Sequence, residues 1–245
     1  MRIKTLLASA LAVPFAIVAF AGTSLAQDDP TPPTPKIVGG VPATETYSWM
    51  ASLQSSSGSH NCGGTLVGPR HVVTASHCGT PYQVRIGTTN RTSGGEVRRV
   101  SGRQVLGADV ALLTLSTAST RTPAPIATSA PVGSSTRIIG WGITCPTRGC
   151  GSAPVGLRQL DTSILADSRC SGINGASELC VNGGGGRGAC YGDSGGPAVI
   201  GGPGSWQLVG ATSRGTASTC ATSPAIYGDV TYFRATILRI IGGGR

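Results

Sequence analysis

The segment Gly192-Asp193-Ser194-Gly195-Gly196-Pro197 sets a serine between glycines, where a turn can expose the hydroxyl while neighbouring N–H groups face a bound carbonyl. Serine is a weak nucleophile at neutral pH. Such a turn therefore carries chemistry only with a positioned base, itself oriented by a carboxylate. The chain offers three histidines, His60, His71 and His77. His77 lies near the end of Val72-Val73-Thr74-Ala75-Ser76-His77-Cys78, an apolar strand-like run closing in a small-residue turn, and a candidate carboxylate lies in Ala108-Asp109-Val110-Ala111-Leu112-Leu113. Ser194, His77 and Asp109 are thus the candidate nucleophile, base and orienting acid, while His60 and His71 read as structural or surface residues.

The elements that must position these residues are short strands. Glycine accounts for 38 of 245 residues, about twice ordinary usage, and hydrophobic residues come in brief runs between Gly, Ser, Thr and Pro clusters. The pattern predicts strands at 49–54, 64–67, 71–74, 82–86, 97–105 and 110–115. A second set is expected at 135–141, 157–165, 178–181, 197–200, 206–212 and 225–230. Only 231–241 reads as helix, with Phe233, Ile237, Leu238 and Ile241 at helical spacing and Gly242 to end it.

Residues 1–26 combine a short basic start, an apolar run at 6–22 and the small-residue site Ser24-Leu25-Ala26, the layout of a secretory signal. The proline-rich stretch 27–36 reads as an extended spacer. Residues 37–245 carry sixteen basic and eight acidic side chains, and every one of the sixteen is arginine. These are scattered apart from Arg98, Arg99 and Arg103, which suits a solvated surface, and no nucleic-acid motif accompanies them.

Together with Ile37-Val38-Gly39-Gly40, the serine, histidine and aspartate segments in this order resemble the chymotrypsin-like (S1) serine proteases, over residues 37–245. The lysine-poor composition, rich in Ala, Gly and Arg, suits a GC-rich genome, and the resemblance is read as one to bacterial, actinomycete-type members. It implies an all-β fold of two packed antiparallel six-stranded barrels with a short C-terminal helix. It also implies a secreted serine endopeptidase acting through an acyl-enzyme. The partners it implies are protein or peptide substrates, an activating protease and a protein inhibitor; no nucleic acid, stable membrane association, cofactor or metal is expected, and the enzyme should be a monomer.

The family pattern gives Gly192 and Ser194 as N–H donors to the oxyanion. It pairs the α-amino group of Ile37, freed by cutting Lys36-Ile37, with Asp193. Gly188 falls on the pocket floor where trypsins carry an aspartate, Ala189 and Ala225 line the walls, and Ser213, Arg214 and Gly215 form the segment that pairs with substrate backbone. Arg214 departs from the usual aromatic residue, and its guanidinium is expected to favour acidic residues upstream of the cut. Eight cysteines allow about 105 pairings by sequence alone. The resemblance implies Cys62 with Cys78, Cys170 with Cys180 and Cys190 with Cys220, leaving Cys145 and Cys150 for a local clasp. Their spacing lacks the repeat of a zinc ribbon.

Two rival readings remain in view. The serine motif also satisfies the α/β-hydrolase elbow, but those enzymes run serine, acid, histidine, and no histidine follows His77 here. The other is a secreted basic binding protein on a protease-like scaffold, which an intact triad disfavours.

Overall fold

The computed structural model describes residues 37–243; the signal and spacer expected at 1–36 lie outside the described residues. A short strand, β1 (Val41–Pro42), precedes β2 (Met50–Gln54), β3 (His60–Gly68), β4 (His71–Ala75), β5 (Gln83–Ile86), β6 (Glu96–Gly107) and β7 (Val110–Leu115). The last six close into an antiparallel barrel in the order β2-β3-β4-β7-β6-β5. There follow β8 (Ser135–Gly140), β9 (Arg158–Leu165), β10 (Glu178–Val181), β11 (Pro197–Ile200), β12 (Gln207–Gly215), β13 (Ala225–Asp229) and the helix α1 (Arg234–Ile241). The β9–β8 pairing closes this second set into another six-stranded ring, with β1 added at the edge of β9.

Residue type explains the layering. β4 and β7 read as nearly continuous apolar runs because both are central, and Val72, Val73, Leu112 and Leu113 are all fully or almost fully buried. β5 alternates instead, sending Val84 and Ile86 inward. Trp141, Val199 and Leu208 extend the first core into the second barrel, while Ile37, Ile138, Leu160 and Tyr227 build a separate cluster there.

All twelve expected strands are present; 110–115, 178–181 and 197–200 keep their expected bounds and the other nine have moved ends. β12 runs on to Gly215 across a bulge after Thr212, which carries Ser213 to Gly215 along β13. The helix starts at Arg234 rather than 231 because the Asp229 carboxylate accepts hydrogen bonds from Thr231 N–H and Oγ1 and from Tyr232 N–H, stabilising a turn ahead of it. β1 has too few residues to leave a pattern in the sequence.

Candidate active site

The two barrels contribute different groups to one cleft. His77 stands in a 3-10 turn, Ser76–Cys78, directly after β4, and the Cys62–Cys78 disulfide ties that turn to β3. Asp109 occupies the second position of the two-residue turn joining β6 to β7. Ala108 and Asp109 have φ of 43° and 58° there, the left-handed pair of a tight hairpin whose twist matches its strands. Ser76 N–H donates to the Asp109 carbonyl at 2.7 Å and locks the two turns together.

The Asp109 carboxylate takes part in four hydrogen bonds. His77 Nδ1 lies 2.7 Å from Asp109 Oδ2, and Ser213 Oγ donates to the same oxygen at 2.7 Å. Oδ1 accepts from Ser76 Oγ at 2.7 Å and from the His77 N–H at 2.9 Å. Burial alone would raise the Asp109 carboxyl, but these donors together hold it well below the usual carboxylate range. An ionised carboxylate only accepts hydrogen bonds, so His77 Nδ1 carries the proton and Nε2 is left with its lone pair. The His77 ring is raised above its ordinary value, first by the hydrogen bond to Asp109, against some burial.

Ser194 comes from the loop ahead of β11 in the second barrel. Its carbonyl accepts the Gly63 N–H of β3 at 2.7 Å, a bond that fixes the serine turn against the first barrel. Ser194 and His77 line the same cavity, of about 570 Å³. Among the described residues no hydrogen bond closes between the Ser194 hydroxyl and the His77 ring, a link that commonly tightens only when substrate is bound. Gly192 has φ of 96°, and a Cβ there would lie 3.1 Å from Gly142 Cα, so this turn requires glycine.

Asp193 is buried and accepts the N–H groups of Gly142 at 2.8 Å and Cys190 at 2.9 Å. Burial pushes its carboxyl up to about 6 despite these donors. Ile37 is buried in the second-barrel core, and Val38 bridges to Gly188. Gly188, Ala189 and Ala225 line the cavity beside Cys190 and Ala221, and among the described residues no carboxylate lines it. Asp229 is occupied at the turn before α1.

Arg214 lines the cavity but is already paired. Its Nη1 donates to Glu178 Oε1 at 2.6 Å, its Nη2 to Glu178 Oε2 at 2.9 Å and to the Gly172 carbonyl at 3.0 Å. The bidentate bond to a buried glutamate neutralises this guanidinium, so the acidic preference expected from Arg214 alone loses its physical basis. The structure joins Cys62 to Cys78, Cys145 to Cys150, Cys170 to Cys180 and Cys190 to Cys220. Cys62, His77 and Cys78 offer ligand-type atoms within 4.8 Å of one another, but the two sulfurs are bonded to each other at 2.03 Å.

Two residues were not legible as parts of this site. Ser76 reads only as a small turn residue until the hairpin of Asp109 is laid beside it. His60, read as structural, has Nε2 3.0 Å from the Gly192 carbonyl and Nδ1 2.8 Å from Ser52 Oγ. Burial pushes its ring down to about 4, so it is neutral near pH 7. A carbonyl only accepts, hence Nε2 donates to Gly192, Nδ1 accepts from Ser52, and the peptide following Gly192 is held in place.

Residues 37–237 match the family model described as Trypsin. The chain belongs to the trypsin family. As a member it is a serine-type endopeptidase, with protein as its substrate class. It is 33% identical to trypsin alpha of Drosophila melanogaster over 228 residues, which is 83% of this chain and 86% of the relative. Trypsin delta of Drosophila erecta is 33% identical over 229 residues, covering 83% and 88%, and trypsin alpha-4 of Lucilia cuprina is 34% identical over 229 residues, covering 83% and 86%. These relatives are insect proteins, whereas the composition led to the expectation of a bacterial type.

Proposed function

We propose that this family member is a secreted endopeptidase, released by cutting Lys36-Ile37, that hydrolyses peptide bonds after uncharged apolar residues. The observation that carries the catalytic part is the His77–Asp109 pair at 2.7 Å, whose His77 lines one cavity with Ser194. Ser194 Oγ attacks the scissile carbonyl while His77 Nε2 takes its proton. The same nitrogen then hands the proton to the leaving amine, and water repeats the cycle on the acyl-enzyme. Asp109 holds the tautomer and stabilises the imidazolium, and the N–H groups of Gly192 and Ser194 receive the oxyanion. Secretion is supported by the signal-like segment 1–26 and by four disulfides, which persist in oxidising compartments.

The apolar preference rests on a cavity lined by Gly188, Ala189 and Ala225, with no carboxylate among its described lining residues. A lysine or arginine side chain entering it would lose hydration without gaining a counter-ion. Cleavage of a peptide library by protein beginning at Ile37 tests this. Cuts after aliphatic or aromatic residues are expected, and efficient cutting after Lys or Arg would refute the pocket reading.

Gly188→Asp is expected to raise the share of cleavage after Lys and Arg but to lower total activity and melting temperature. Gly188 has φ of 153°, a backbone state that costs a side-chain-bearing residue about 1–3 kcal/mol. Matched peptides and thermal unfolding read both effects, and a fully active, fully stable variant would contradict the strain argument.

The pH profile follows from the same geometry. Activity needs neutral His77, and Asp109 raises its ring, so kcat/KM should rise with pH through a value above the ordinary histidine value of about 6.5. An acid limb centred below that value would show that Asp109 does not interact with His77 as described.

A further inference from the structure

Among the described residues two arginines line the cavity, Arg148 and Arg214, and they differ in their partners. Arg214 is neutralised by Glu178. Arg148 has, among the described residues, no carboxylate within ion-pair distance. Its guanidinium carbon instead sits 4.5 Å from the ring centroid of Tyr191, the residue directly before Gly192. Stacking engages the flat face of a guanidinium and leaves its N–H edge available to a planar anion.

The segment that carries Arg148 is anchored at several points. Cys145 and Cys150 are five residues apart and bonded to each other. The Cys220 N–H donates to the Pro146 carbonyl at 2.9 Å, and the Ile143 N–H donates to the Tyr191 carbonyl at 2.8 Å. Closing so short a loop takes comparatively little entropy from the unfolded chain, so the value of this disulfide lies in local order more than in global stability. That order bears on the one cavity-lining arginine without an acidic partner among the described residues.

We propose that the Cys145–Cys150 clasp presents Arg148, stacked on Tyr191, as a specificity-determining residue that selects a carboxylate side chain near the cleaved bond. The inference rests on the endopeptidase reading above and moves the acidic preference from Arg214 to Arg148. Tyr191 supplies the platform, and its place beside the oxyanion turn puts the cation at the rim where residues flanking the cut must pass.

The test uses protein beginning at Ile37 and peptide pairs that share one apolar cleaved residue, with Glu or Gln at each flanking position in turn. The Glu-to-Gln ratio of kcat/KM should reach roughly twofold to fivefold at one position, as expected for a partly exposed ion pair. It should shrink as salt is raised. Arg148→Gln should bring the ratio close to unity, Arg148→Lys should keep part of it, and breaking the clasp with Cys145→Ala plus Cys150→Ala should lower it. Arg239→Gln, which removes an exposed charge on α1, should leave the ratio where it was. A ratio near unity at every position in the parent, or one that survives in Arg148→Gln, overturns the proposal. Failure to cleave either member of any pair would count against the endopeptidase reading itself and the inference with it.

Discussion

Replacing Ser194 by alanine is expected to lower kcat by roughly 10⁶-fold while the protein keeps its fold and melting temperature. The bonds that hold the serine turn are made by its backbone. The Ser194 carbonyl accepts the Gly63 N–H, and the neighbouring Gly195 and Gly196 N–H groups donate to Thr212 and Asp193. The hydroxyl itself enters none of the described hydrogen bonds, so its removal orphans no partner. His77→Ala should cost a similar factor, and the double variant little more, because nucleophile and base act as one unit. Steady-state kinetics beside thermal unfolding checks this; full activity in either single variant would remove that residue from the mechanism.

Blocking the cut at Lys36-Ile37 should produce the second large loss. In the uncut chain Asp193 is buried with its carboxyl pushed up to about 6, so at neutral pH it is largely ionised but holds that charge against the cost of burial. A raised carboxyl stabilises the folded turn below its ordinary value of about 4 and loses that contribution as pH rises through about 6. A freed Ile37 amine would supply the missing cation. Losing such a buried pair costs about 3–5 kcal/mol, so Lys36→Gln should lower kcat/KM by roughly 10²- to 5 × 10³-fold.

In the Ser194→Ala background, cutting at Ile37 should raise the melting temperature at pH 7 to 8 and do so much less near pH 4, where Asp193 of the uncut chain is protonated and needs no cation. Equal gains at both pH values would argue against the ion pair. Lys36 is the last lysine in the chain, and the described residues lining the cavity offer lysine no acid. A lysine-specific protease should therefore release Ile37 promptly and the active enzyme should not.

The architecture was legible because strands leave period-two and apolar-run patterns that survive in one sequence, as at 110–115 and 178–181, where expected and observed bounds coincide. The strand ends were less legible. Ser213 to Gly215 join β12 only through a bulge and pairing with β13, a tertiary effect that no local pattern encodes. At the candidate site the serine, histidine and aspartate stood out by type and neighbours. The hydroxyl of Ser76 and the ring of His60 did not, because their partners Asp109 and Gly192 lie 33 and 132 residues away. Arg214 was visible as an odd residue, yet its meaning changed once Glu178, 36 residues earlier, was found beneath it.

The most direct measurement is labelling by a serine-directed phosphonylating reagent, applied to protein beginning at Ile37 and followed by peptide mapping. A single adduct on Ser194, loss of peptidase activity in proportion to labelling, and strongly slowed labelling in His77→Ala are expected. An adduct on a different residue, or peptide hydrolysis that persists once Ser194 is fully labelled, would contradict this mechanism.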